Sequence, residues 1–189
     1  MVTIGANFEN WLKTATTSYK EKDLRNKSFK VLGSAWDNLV KSGASAKQLD
    51  NAYRNAFINF GKSYVEHLDK KYGNGDGKLT TAEYMNSELQ ALPLKERIQP
   101  DVQQAARNMV NNINIDGDKY ISIKEMTAVL SMFDKDCKNG NLNGRINGYD
   151  YASCSMCLVE DKNNEYGQAI RNKLTDSYNQ LFGTNIKHK

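Results

Sequence analysis

One arrangement of oxygen-bearing residues occurs three times in the middle of this 189-residue chain, and it constrains the fold more than any bulk property. From Asn114 to Glu125 the chain reads N-I-D-G-D-K-Y-I-S-I-K-E. Asn114, Asp116, Asp118, Ser122 and Glu125 fall at positions one, three, five, nine and twelve, and Ile121 at position eight. Tyr72 to Glu83 reads Y-G-N-G-D-G-K-L-T-T-A-E, and Asn139 to Asp150 reads N-G-N-L-N-G-R-I-N-G-Y-D. Both have Gly at position six (Gly77, Gly144), an aliphatic residue at eight (Leu79, Ile146) and a carboxylate at twelve. An acidic turn between helices is common, so a single match would say little. A threefold internal repeat says more.

These stretches resemble the calcium loop of the EF-hand superfamily. The chain's size and its unequal loops are similar to the sarcoplasmic calcium-binding proteins and their bacterial relatives. The resemblance covers about residues 60–160. It implies an all-α fold of helix-loop-helix repeats and Ca2+ as the cofactor, a hard cation that takes six to eight oxygens. In the central loop it implies the side chains of Asn114, Asp116, Asp118, Ser122 and a bidentate Glu125, with the Tyr120 carbonyl. In the first loop it implies Asn74, Asp76, the Lys78 carbonyl and Glu83. In the third it implies Asn139, Asn141, Asn143, the Arg145 carbonyl and Asp150. The central loop departs from the pattern at position six, where Lys119 replaces the usual Gly. A positive φ there would cost roughly 1–2 kcal/mol. Its two mid-loop aspartates and terminal Glu in an uninterrupted register still make it the strongest expected site.

The first and third loops have irregular starts. Tyr72 offers no useful side-chain ligand at position one, whereas Asp69 stands three residues earlier, at the expected helix end. Either an enlarged loop recruits Asp69, or Asp69 pairs with Lys70 or Lys71 in solvent, where such pairs stabilise little. In the third loop either the asparagines act as ligands, or Asp134 and Asp136 fold inward through an insertion. With asparagines alone only Asp150 brings charge, and affinity follows ligand charge. The short Asp150 tilts that site toward Mg2+ or no ion. Extra loop residues add little closure entropy, roughly 0.6 kcal/mol per doubling of length.

Apolar residues spaced three and four apart predict helices near 6–20, 28–41, 46–70, 81–91, 101–113, 124–133 and 164–182. The spacing of Met126, Val129, Leu130 and Phe133 gives the sixth helix one apolar face. Ser45 and Gln48 form a capping box, Asp101 caps the fifth helix, and Gly183 ends the last. The stretch 19–30 is charge-rich, with nothing aromatic interleaved with a strong basic face, so it reads as a solvated turn rather than a nucleic-acid or membrane patch. The tail Lys187-His188-Lys189 is expected to fray. First positions at 72 and 114 leave room for two helices between the loops, so these loops can lie side by side with Leu79 opposite Ile121. Only one helix fits between 114 and 139, so the third loop lacks that partner. Met109 sits in an apolar stripe with Val102, Ala105, Val110 and Ile113 that reads as core.

The expected organisation is an N-terminal helical hairpin (1–45), a loop pair (46–135) and a third irregular loop with a C-terminal helix (136–189), packed as one unit. Hydrophobic residues are 39% and charged residues 25%, as in an ordinary soluble domain. No apolar run is long enough to cross a membrane, and no secretory signal is evident. Cys137, Cys154 and Cys157 are too few for a disulfide scaffold, so a cytoplasmic setting is the default. Cys154 and Cys157 lack the further ligands that a zinc site needs. No nucleophile–base pair or phosphate-binding Gly loop points to an enzyme, and no nucleic-acid partner is expected. The sequence favours a calcium buffer or a metal-stapled structural protein. The alternatives are a calcium sensor that exposes an apolar groove to a partner protein's helix, and an adaptor for an acidic partner, suggested by the net charge of +4.

Overall fold

The computed structural model describes residues 21–134 and 156–188. They form an all-helical structure of α1 (Glu21–Lys41), α2 (Ala46–Tyr72), α3 (Thr81–Gln90), a one-turn α4 (Leu94–Arg97), α5 (Pro100–Ile113), α6 (Ile123–Asp134) and α7 (Glu165–Phe182). The one β feature among these residues is an isolated antiparallel bridge between Thr80 and Tyr120. No helix among them is long and apolar enough to cross a membrane. The expected helix near 6–20 lies outside the described residues.

Several boundaries differ from expectation. Helix α1 already includes Glu21, the first described residue, so most of the charge-rich stretch is helical rather than a turn. Glu, Lys and Arg, frequent in this stretch, are good helix formers. Asp101 does not cap α5. Pro100 opens that helix with Gln99 at the N-cap position, and Asp101 falls in the first turn. Proline fits there because its missing N–H would have had no helical partner. Up to His188 the tail folds back onto α7. Asn179 Oδ1 accepts from the Ile186 N–H (2.9 Å) and from Thr184 Oγ1 (2.8 Å), and its Nδ2 donates to the Ile186 carbonyl (2.9 Å). His188 Nε2 lies 2.8 Å from Asp176 Oδ1.

Other signals appear where they were expected. Ser45 and Gln48 form the capping box of α2. Gly183 ends α7 with φ 63°, a conformation that costs glycine little.

The core is built around α6. Every residue from Glu125 to Phe133 is buried, not only one face. The reason is its position, with α2 packed on one side and α7 on the other. Its buried hydroxyls bond within their own helix, Thr127 to the Ile123 carbonyl (2.7 Å) and Ser131 to the Ala128 carbonyl (2.9 Å), so burial leaves no donor unmatched. Gly61 lets α2 approach this closely. A Cβ there would lie 2.2 Å from Thr127 Oγ1 and 3.0 Å from the Thr127 nitrogen. Tyr53, Phe57, Phe60 and Leu68 from α2 join Met126, Val129, Leu130 and Phe133 from α6 in one continuous cluster.

Candidate functional site

The segments 73–80 and 114–122 join helices on either side and lie against each other. The Ile121 N–H donates to the Leu79 carbonyl (2.8 Å) and the Thr81 N–H to the Lys119 carbonyl (3.0 Å). These bonds flank the Thr80–Tyr120 bridge and place Leu79 opposite Ile121, both 1% exposed. The side-by-side arrangement read from the spacing is therefore present.

Within the two loops the same hydrogen-bond ladder recurs position by position. Asn74 Oδ1 accepts from the Asp76 N–H (2.9 Å), and Asp76 Oδ1 from the Lys78 N–H (2.9 Å). Asp116 Oδ1 accepts from the Asp118 N–H (3.0 Å), and Asp118 Oδ1 from the Tyr120 N–H (2.6 Å). Short Asn and Asp side chains make such turns with the backbone two residues on. The Lys78 and Tyr120 side chains point elsewhere. The ammonium groups of Lys78 and Lys119 lie 5.6 and 5.0 Å from the Tyr120 ring centroid. Only the carbonyls of Lys78 and Tyr120 could serve a metal.

Position twelve also repeats. Glu83 Oε2 accepts from the Thr80 N–H (2.8 Å) and hydroxyl (2.9 Å), and Glu125 Oε2 from the Ser122 N–H (2.8 Å) and hydroxyl (2.8 Å). Each is the glutamate of a capping box at the start of the following helix, an arrangement that satisfies free helix amides. The other oxygen of Glu125 accepts from the Ile115 N–H (2.7 Å). Burial raises the Glu125 pKa, opposed by the Ser122 bonds, while the Asp116 charge adds to the rise. Burial also raises the Tyr178 hydroxyl, with the Glu125 and Asp116 charges as further causes.

The starts of the loops show which residue holds position one. Tyr72 does not enter the first loop. It remains in α2, half-buried against the core. Asp69 takes the place instead, with Oδ1 accepting from the Gly75 N–H (3.1 Å) and Oδ2 from the Gly77 N–H (2.7 Å). Its 2% exposure corrects the alternative of a solvent pair with Lys70 or Lys71. In the second loop Asn114 Oδ1 accepts from the Gly117 N–H (2.8 Å). The strain expected at Lys119 is absent, since no non-glycine among the described residues has positive φ. Gly117, at position four, makes the turn with φ 81°, whereas the first loop uses both Gly75 (73°) and Gly77 (85°).

The third loop lies outside the described residues. The Asp134 side chain lies outside the described residues, as do Asp136, Asn139, Asn141, Asn143, Arg145 and Asp150. Cys137 and Cys154 also lie outside, and Cys157 is half-buried.

Two features escaped the sequence reading. Arg171 on α7 donates to the carbonyls of Asn111, Asn114 (3.3 Å) and Ile115 (3.2 Å), at the start of the second loop. No local pattern announces a contact between segments so far apart in sequence. The second is an apolar groove of about 390 Å³ between α3, α5 and α6, lined by Tyr84, Leu89, Met109, Met126, Phe133 and Leu158 among others. Of the stripe read as core, Val110 and Ile113 lie in the core and Met109 packs against it, while Val102, Ala105 and Met109 also line this groove. Their 3.6-residue period showed an apolar face but not what lies against it.

Among the described residues no three His, Cys, Asp or Glu side chains stand together as a group able to hold a metal ion. The loop carboxylates are instead turned onto backbone amides. Their chemistry is nonetheless that of hard-cation ligands, all oxygen, with two carboxylates nearly removed from water: Asp69 at 2% and Glu125 at 1% exposure. No Lys, Arg or His pairs with a carboxylate of either loop among the described residues. Comparison with protein-family models, curated proteins and solved structures gives no match.

Proposed function

We propose that this chain binds calcium through its two paired loops, each built in the manner of an EF-hand. The observation that carries this reading is two buried carboxylates, Asp69 and Glu125, held by amide N–H groups with no Lys, Arg or His paired to them among the described residues. Burying a charge without a counter-charge is expensive, and a divalent cation supplies that counter-charge. Asn114, Asp116, Asp118, Ser122 and Glu125, with the Tyr120 carbonyl, would hold it in the second loop. Asp69, Asn74, Asp76 and Glu83, with the Lys78 carbonyl, would hold it in the first. A magnesium or calcium site on the third loop is a separate, weaker expectation. The role that follows is a buffer or a metal-stapled scaffold, in which the ion ties α2 to α3 and α5 to α6.

Calorimetric titration of the chelator-treated chain with calcium tests the reading. Two ions bound per chain are expected from the pair, and no uptake would overturn it. The groove between α3, α5 and α6 favours a second reading, a calcium sensor whose groove takes an apolar helix of a partner protein. An apolar dye whose fluorescence rises on adding calcium favours the sensor, and an indifferent dye favours the buffer.

A further inference from the structure

We infer that Arg171 is a positioning residue that sets the calcium affinity of the loop 114–125 by fixing where that loop begins; this rests on the calcium reading of that loop. The last carbonyls of a helix have no partner within it. At the end of α5 they meet the Arg171 guanidinium, which donates to the carbonyls of Asn111, Asn114 and Ile115. Asn114 is the first ligand of the loop, and it is neutral, so its value depends on placement rather than charge. The planar, multidonor fork of arginine suits several converging carbonyls, whereas the lysine ammonium acts as a compact point charge.

Helix α7 is a firm base for that fork because it is tied at both ends. Ahead of it, Asn112 Nδ2 donates to the Leu158 and Glu160 carbonyls (2.9 Å each) and Asn108 Nδ2 to the Val159 carbonyl (2.9 Å). At its far end, Arg54 of α2 donates to the Gln180 and Leu181 carbonyls (2.7 Å each). The first loop has no such brace among the described residues. Its Asp69 lies inside α2, and the Gly73 N–H closes directly onto the Asp69 carbonyl (2.8 Å).

Placement and charge predict opposite outcomes. A guanidinium near a cation site repels the cation, so an effect through charge alone would make Arg171→Gln bind calcium more tightly and leave Arg171→Lys unchanged. Placement predicts weaker binding in both. Partners that orient metal ligands typically matter at the level of 10–100-fold in affinity.

The test is calcium titration of Arg171→Lys and Arg171→Gln in a Glu83→Gln background, each compared with Glu83→Gln alone so that the weakened first loop and its coupling to 114–125 are common to both, with melting temperatures recorded in chelator. The expected result is an affinity lower by about tenfold for Arg171→Lys, with melting in chelator little changed. Affinity within twofold of the parent overturns the inference, as does a loss of affinity that merely follows a loss of stability. Absence of calcium binding by the unsubstituted chain overturns the calcium reading and this inference together.

A second measurement needs no variant. Coupling between sites is reciprocal, so calcium should slow backbone hydrogen exchange across 165–182 in the unsubstituted chain. Unchanged or faster exchange there overturns the inference.

Discussion

Glu125 shows how one side chain serves two demands. It caps α6 through Ser122 and reaches back to the Ile115 N–H, yet it is 1% exposed and its charge is disfavoured by burial. Replacing it by Gln keeps the shape and removes the charge. Glu125→Gln should abolish the tightest calcium event in a titration, and survival of that event would show that another residue dominates the site. The pH dependence has a definite sign. The folded pKa lies above the usual 4.5, so this group's contribution to stability is full below that pH and is lost as pH rises through the folded value. In chelator, the stability of the unsubstituted chain relative to Glu125→Gln should fall with rising pH across that window, and paired melting curves would show it. Asp69 is the matching case in the first loop. Asp69→Asn keeps one acceptor for the Gly75 and Gly77 amides and loses the charge, so first-loop calcium affinity should drop by tenfold or more if it follows ligand charge. Unchanged affinity would return position one to Tyr72.

Among the elements, the crossing of α2 on α6 is the tightest approach. Gly61→Ala would place a methyl group 2.2 Å from Thr127 Oγ1 and against that residue's backbone nitrogen, so the helices must move apart. Overpacking of this kind costs about 2 kcal/mol, and a denaturant melt in chelator measures it directly. Combining it with Thr127→Ala should recover only part of the loss, because the 3.0 Å contact to the nitrogen remains. Full recovery would place the whole conflict at the hydroxyl.

At the scale of the molecule, the bridge between the loops makes each a wall of the other. The Ile121 N–H bond to the Leu79 carbonyl and the Thr81 N–H bond to the Lys119 carbonyl mean that ordering one loop orders part of its partner. Glu83→Gln should therefore weaken calcium binding at 114–125 as well as at its own loop. Two sites that titrate independently would show that the bridge transmits nothing. Helix α6 extends the same continuity, since it carries Glu125 at its start and Phe133 in the groove wall toward its end.

What the sequence determined by itself is what local physics determines. Apolar periodicity gave most helices to within a few residues, because a helix's buried stripe must recur every 3.6 residues. The Ser45/Gln48 box and Gly183 marked ends because capping is settled within one turn. Loop spacing gave the opposition of Leu79 and Ile121, because two helices between loops allow them to return side by side. The choice between Asp69 and Tyr72 belonged to tertiary structure: both precede the loop, and burial at the end of α2 decides which side chain meets the glycine amides. So did the glycine that turns the second loop, since Gly117 and Lys119 compete only within the closed loop. Full burial of α6 and the reach of Arg171 from α7 to Asn114 depend on neighbours far away in sequence. No window along the chain contains them, because they arise only when the helices pack.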